Sequence, residues 1–449
     1  MVKDLITSIS LVFLCVEIEN GFAQNWEIQV VDSSGVYSDE TSITVDINNH
    51  PYISYSRDFQ GSIALSYARW TGSAWIIEYI DTLDASGYCS SIALDNVNNP
   101  HISYDAVSGG LKYAQWTGSD WLIEVVDPGA EGHSSIAIDN NGNPHILSVY
   151  VYPCMLNHYR RVGNIWITEE VDSSDNPEGG ELAINSTNNP CISYIASRYD
   201  LCYAYWDGAN WIIEVIDTNF CSKVSLALDN NDFPHISYCG TEGNLFYAYW
   251  TGADWVIEAV DTSVDVVRCS SVVIDNNGYP HIGYMDYPNN TLKYAKWTGT
   301  NWSIEVVDIS CAGGVSLALG TNNSLHMSYR DQAGDLKYAF NPGGGVNERK
   351  SRSMPNNLFN CSNPSRRRAI ISYYLCEDTR VSLKVYDITG RVVCTLVDGN
   401  QTRGFHRVTW DCKDSNGQEI ASGVYLCKLT ALGQNHKAIE RVTKMIVLK

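Results

Sequence analysis

Five histidines sit at equivalent places along the chain. His101, His145, His235, His281 and His326 each follow a proline or leucine and open an apolar run, while Tyr52 and Cys191 hold the same place in two further copies. A carboxylate recurs in the same way, as Asp32, Asp81, Asp127, Asp172, Asp217, Asp261 and Asp308. Imidazole and carboxylate are the groups of acid–base catalysis and of metal ligation. Such chemistry needs one constellation, however, and seven-fold repetition argues for structure. The histidines are expected to hydrogen-bond a neighbouring strand, and the aspartates to cap the turn that follows them. The "DNNGNP" segments lack the fuller oxygen set of a calcium loop and read as Asx-type turns. No Cys-x-x-Cys or Cys/His spacing suggests zinc, and no cofactor-binding pattern is present. No lone histidine or acidic pair stands apart from the repeat, so no catalytic and no metal residues are assigned.

These residues belong to a repeat that fills 25–340. Aligned on Pro51, Pro100, Pro144, Pro190, Pro234, Pro280 and Leu325, its spacings are 49, 44, 46, 44, 46 and 45, the length of a four-stranded propeller blade. The unit "SVVIDNNGYPHIGYMDYPNNTLKYAKWTGTNWSIEVVD" divides into strands a, "SVVID", b, "PHIGYMD", c, "TLKYAKW", and d, "WSIEVVD". Alternation in strand d has the period of two that places successive side chains on opposite faces. A tryptophan opens strand d in all seven units (Trp26, Trp75, Trp121, Trp166, Trp211, Trp255, Trp302) and is expected to pack blade against blade.

The ends of the array give its closure. The last unit, 315–340, has strands a to c and no d. The phrase "NWEIQVVD", 25–32, is a strand d with no a, b or c before it. A solenoid needs capped ends, whereas a ring pairs its edges. The expected fold is therefore all-β: a seven-bladed β-propeller over 24–340 whose N-terminal strand closes the last blade. The stretch 25–32 should pair with Leu336–Phe340.

Propeller topology places the a–b and c–d turns on one face and the b–c and d–a loops on the other. The first set is short and uniform; the second differs from unit to unit, as in "YVYPCML", "IASRYD" and "TSVDVVRC". Recognition specific to one blade belongs on the varying face. The candidate ligand-binding residues there are Arg57, Asp58, Asp105, Tyr152, Arg198, Tyr199, Asp286, Tyr287, Arg330 and Asp331. The expected function is non-catalytic binding of an extracellular glycan or protein. The alternative is an extracellular propeller hydrolase or lyase acting on polysaccharide, with acids convergent in a deep polar pocket at the channel mouth. The sialidase-type S-x-D-x-G-x-x-W box is absent from the repeats.

Charge and targeting agree with an exported product. Net charge is −21, with +8 in residues 346–449 and −29 in the remainder. An acidic body of that size repels nucleic acid and anionic membrane and tolerates neutral or cationic partners. Residues 1–23 read as a secretory signal peptide, with an apolar run too short to span a membrane, so no membrane insertion is expected. Removal of that segment takes Cys15 and leaves 13 of the 14 cysteines, an odd number, with connectivity open.

Beyond a Gly/Pro/Asn-rich linker, 341–367, the rhythm changes to six or seven short strands over 368–449, as expected for a small Ig-like sandwich. Tyr386-Asp387 with Gly390-Arg391, Trp410-Asp411, Ala421-Ser422-Gly423-Val424-Tyr425 and the final "KMIVLK" carry a family likeness. This stretch resembles the FlgD-type immunoglobulin-like domain and the type A C-terminal sorting domain of the type IX (Por) secretion system. The resemblance implies an address: passage through the outer membrane by that secretion machinery, to a secreted or cell-surface location. Cys376 and Cys412 stand where such domains often have Pro and Gly.

Overall fold

The computed structural model describes residues 26–343 and 359–448, apart from 84–88, 107–108, 152–153, 174–176, 197–198, 220–221, 264–266, 362–364, 367, 376–378, 403 and 433–437. The proposed signal peptide lies outside the described residues. Among them no helix is long and apolar enough to cross a membrane.

The repeat folds into seven four-stranded antiparallel sheets, an arrangement that fits a β-propeller. The first is built from Val36–Val45, Pro51–Phe59, Ser62–Trp70 and Trp75–Asp81, in chain order. Five further sheets repeat that order. The last has Gly313–Leu319, Leu325–Arg330 and Leu336–Asn341 as strands a to c, and Glu27–Asp32 as its fourth strand. Glu27 faces Phe340, Gln29 faces Tyr338 and Asp32 faces Leu336. The N-terminal strand thus pairs where the sequence places it. The first sheet lies against the last: the Thr41 hydroxyl donates to the Gly314 carbonyl at 2.5 Å and meets Ser328 at 2.7 Å.

The repeated residues hold sheet to sheet. Each strand d tryptophan meets the strand c aromatic of the preceding sheet edge-on, as with Trp26 on Tyr294 at 5.2 Å, Trp166 on Tyr113 at 5.2 Å and Trp211 on His158 at 5.4 Å. Several also donate their indole N–H to the preceding strand d: Trp26 to Glu305 at 2.8 Å, Trp255 to Glu214 at 2.9 Å and Trp75 to Gln29 at 3.2 Å. A ring offset of this kind adds quadrupole attraction to a large buried area.

The strand d aspartates do two jobs. Among the described residues six accept the N–H two residues on and so cap the turn, as Asp32 does from Ser34 at 2.9 Å and Asp217 from Asn219 at 3.0 Å. The second oxygen reaches the next sheet and accepts a tyrosine hydroxyl: Tyr55 on Asp32 at 2.6 Å, Tyr104 on Asp81 at 2.9 Å, Tyr194 on Asp172 at 2.6 Å, and likewise Tyr329 on Asp308. The clasp was not expected; turn capping uses only half of each carboxylate.

The strand b histidines bond within the sheet. His101 Nδ1 shares a hydrogen bond of 2.5 Å with the Tyr113 hydroxyl, and His326 one of 2.7 Å with Tyr338, both tyrosines being on strand c. His235 pairs with Tyr247 and His281 with Tyr294 in the same way. In the third sheet the strand c partner is His158, 2.9 Å from His145. The a–b turns are Asx turns: Asp95 Oδ1 accepts the N–H of Val97 at 2.9 Å and of Asn99 at 2.8 Å. Asn98, between them, holds a left-handed backbone (φ 65), which asparagine tolerates.

The C-terminal unit packs a three-stranded sheet and a five-stranded sheet around a core that includes Ile371, Tyr373, Leu383, Trp410, Cys427 and Met445. Two strands come from the segment expected to be a linker. Phe359–Cys361 pairs with Ile371–Tyr373, and Ser365–Arg366 runs parallel to Val447–Leu448. Phe359 and Cys361 are buried in that core, which is why the sandwich takes in part of 341–367.

Candidate functional site

Six serines form a ring of hydrogen bonds around the propeller axis. Each lies on strand a and accepts the strand a N–H of the following sheet. Ser42 accepts from Ile92 at 3.2 Å, Ser91 from Ile136 at 3.2 Å and Ser135 from Leu182 at 3.1 Å. Ser225 accepts from Val272 at 3.1 Å, Ser271 from Leu317 at 3.0 Å and Ser316 from Ile43 at 3.2 Å. The last bond joins the seventh sheet to the first. The seventh place in the ring is Glu181, in "GGELAI".

A cavity of about 410 Å³ lies inside this ring and takes lining residues from all seven strands a. Ser42, Ser91, Ser271 and Ser316 line it, as does Glu181. Two residues nearer the d–a loops, hence toward the varying face, strand a carries side chains that differ between sheets: Glu40, Cys89, His133, Gly179, Lys223, Cys269 and Gly314. Six sheets have a register shift at or beside this level, for example between Ala130 and Ser134 and between Ser222 and Val224. A bulge re-aims side chains, and here it turns this layer toward the axis. Lys223 holds a left-handed backbone at φ 50 in the process. Gly179 has no room for a side chain, since a Cβ there would come 2.4 Å from His133 Cβ.

Glu181 is the carboxylate of the cavity whose titration burial displaces upward. Burial, with the Glu40 charge added, pushes its carboxyl up to about 7. Among the described residues no hydrogen bond or ion pair reaches it. His133 Nδ1 is also buried and has no partner among the described residues. Burial pushes the Cys89 thiol well up, with the Glu40 and Asp105 charges adding to it and Lys223 opposing. Asp105, near the end of strand b in the second sheet, is half-buried. Among the described residues no group of three or more His, Cys, Asp or Glu is placed to hold a metal ion.

The other candidate residues fall into two kinds. Arg57, Asp286 and Asp331 are buried and spent within the scaffold. Arg57 donates to Asp32 at 2.8 Å under the Tyr79 ring, Asp286 meets Lys293 at 2.9 Å, and Asp331 caps a turn and meets Lys337 at 3.3 Å. Asp58 and Arg330 are half-buried, and Tyr199 and Tyr287 are exposed at 41% and 45% on the b–c loops. Tyr152 and Arg198 lie outside the described residues. The signal that sequence reading missed is the break in the serine register, where "SSI", "VSL" and "TSI" give way to "GEL".

A second hollow, about 400 Å³, lies between the third and fourth sheets and is lined by His145, His158, Arg160 and Glu169 among others. Its groups already satisfy one another: Glu169 takes His158 at 3.1 Å and Arg160 at 2.9 Å. Hydrogen bonds from His158 and Arg160 hold the Glu169 carboxyl down at about 2.

Glu181→Ser should complete the ring and remove the strained acid. A carboxyl whose folded value lies above its usual 4.5 is penalised as pH rises from 4.5 to 7. The variant should therefore gain about 2 kcal/mol at pH 8, discounting for channel water, and almost nothing at pH 4.5. Urea titrations at the two pH values check this; equal gains at both would contradict it.

Comparison with known proteins bears on the fold and on the C-terminal unit. Residues 370–435 match the family model of the FlgD Ig-like domain. Among solved structures, the BP39L lectin from Burkholderia pseudomallei is similar at 14% identity and a TM-score of 0.53, over 70% of this chain and 98% of that one. A fungal lectin from Aleuria aurantia, described as a six-bladed β-propeller, is similar at 12% identity and 0.44, over 62% and 97%. A polysaccharide lyase of the PL25 family, an ulvan lyase, gives 13% and 0.49, over 69% and 94%. No curated protein matches the chain. Fold and family match together define a β-propeller that carries a FlgD Ig-like unit.

Proposed function

We propose that this chain is a seven-bladed propeller, exported from the cell, that binds extracellular glycan or protein through the face bearing its b–c and d–a loops. The observation that carries the reading is a division of labour. Side chains that recur in every unit are consumed between sheets, whereas those that do not recur, Glu40, His133, Glu181 and Lys223, gather around one polar cavity below that face. Each strand a contacts the strands a on either side, from the first sheet round to the seventh and back, which supports the count of seven blades. The similar Burkholderia fold is a lectin; glycan is accordingly the favoured ligand. Delivery to the cell surface or medium is assigned to the FlgD-like unit acting with the secretion machinery.

Two arms test this. The mature chain on a glycan array should bind at least one glycan class, and binding should fall when Asp58, Tyr199 and Tyr287 are changed to alanine together or when the cavity residues are changed. Binding that survives both sets of changes would remove the placement. A chain lacking 353–449 should remain inside the cell envelope; its normal arrival outside would remove the sorting role.

A hydrolase or lyase is the second reading, favoured by Glu181, an acid held protonated to near neutrality beside Glu40 and Lys223. Time-dependent release of reducing ends or unsaturated products from a polysaccharide that binds, abolished in Glu181→Gln, would establish it.

A further inference from the structure

We propose that the axial cavity is a single saccharide site, one per molecule, that takes the terminal residue of an uncharged glycan, with Glu181, Lys223 and His133 as its polar contacts. The inference rests on the glycan-binding reading and deepens it.

The number of sites follows from what is already filled. Between most sheets the tryptophan and the strand c tyrosine occupy the contact. The hollow between the third and fourth sheets has Glu169, His158 and Arg160 paired with each other. In the axial cavity the Glu181 carboxyl, the Lys223 ammonium and the buried Nδ1 of His133 have no partner among the described residues. About 410 Å³ is within the range of sites for small molecules, roughly 300–1,000 Å³.

The class of ligand follows from the lining. Ser42, Ser91, Ser271 and Ser316 each accept a backbone N–H, so each keeps its own proton to donate into the cavity. Lys223 donates, Glu40 accepts, and Glu181 does either according to its protonation. Sugar hydroxyls also do both. Glu40 offsets the charge of Lys223, so no net cation is left to select an anion, and the −29 of the surrounding body opposes polyanions. Glu181 determines the site because six of seven positions in its ring are serine.

Isothermal titration of the mature chain tests this with methyl glycosides of glucose, galactose, mannose and fucose as uncharged probes. Glucosamine and glucuronate serve as cationic and anionic probes. Two variants are suited to keeping the fold: Glu181→Ser restores the ring residue, and Lys223→Gly suits the left-handed backbone at that position. The expected result is one site per chain for at least one uncharged glycoside, at least tenfold weaker in each variant and unchanged in Arg160→Gln. A stoichiometry above one, preference for a charged probe, or binding indifferent to Glu181→Ser and Lys223→Gly overturns the inference while leaving glycan binding standing. Failure of every probe here and of every glycan on the array overturns both.

Discussion

Acidification from pH 7 to pH 4 should unfold the propeller cooperatively, with the loss of stability beginning above the range in which ordinary carboxylates titrate. Burial holds His145, His235 and His326 down at about 4, with the charge of His158 adding to the effect at His145 and nearby aspartates opposing it at the other two. Burial also lowers His101, His158 and His281. In the unfolded chain each returns to 6.5. Above that value both states are neutral and the histidines cost nothing. As pH falls from 6.5 toward 4, the unfolded state takes up protons that the folded state refuses, so stability drains away across that window. A displacement of this size is worth about 3 kcal/mol per group, and three such groups approach the roughly 5–15 kcal/mol that holds a domain together. Urea midpoints from pH 7.5 to 4.5 should fall steeply. His326→Gln, which cannot take up the proton, should show a shallower slope. A midpoint that stays level between pH 7 and pH 5 would show that the buried imidazoles are reached by water.

Removing Asp32 should open the ring at its seam. Asp32 ends the N-terminal strand, and its carboxylate accepts the Tyr55 hydroxyl at 2.6 Å and the Arg57 guanidinium at 2.8 Å, both from the first sheet. Burial pushes its carboxyl up, and the bonds from Tyr55 and Ser34 together with the Arg57 charge bring it below the ordinary value. Asp32→Ala leaves Arg57 buried with no counter-charge, a loss of about 3–5 kcal/mol. The comparison is Asp127→Ala. There the partners are a tyrosine hydroxyl and a turn N–H, and the loss should be nearer 1–3 kcal/mol. Hydrogen exchange of Ile28–Val31 should quicken in Asp32→Ala and not in Asp127→Ala. If both variants lose the same stability and the N-terminal amides stay protected, the seam is held by the backbone ladder alone.

The period of the fold was readable from one line of sequence because the features that set it are local. Tryptophan spacing, Asx turns and the unmatched "NWEIQVVD" are properties of neighbouring residues, and together they gave the sheet count and the pairing of 25–32 with Leu336–Phe340. The FlgD-like motif was legible for the same reason, although its boundary was not. Phe359 and Cys361 sit in a polar, basic stretch and show their worth only once they meet Ile371 and Cys427 in the core.

The residues of the face were a different matter. Arg57, Asp286 and Asp331 look like loop charges in sequence, yet each meets an opposite charge that a linear reading does not supply: Asp32 from the last sheet, across the seam, and Lys293 and Lys337 from the adjoining strand. Glu181 was the converse case. Its departure from the serine register is visible in "GGELAI", but a departure has meaning only when the other six positions are known to share a ring. By itself the sequence determined the repeat, its closure and the identity of the C-terminal unit, because each is written in short-range periodicity. Tertiary structure alone decided the cavity. Its lining comes from seven strands spread between Glu40 and Ser316, and only the curvature of the ring brings them to one axis.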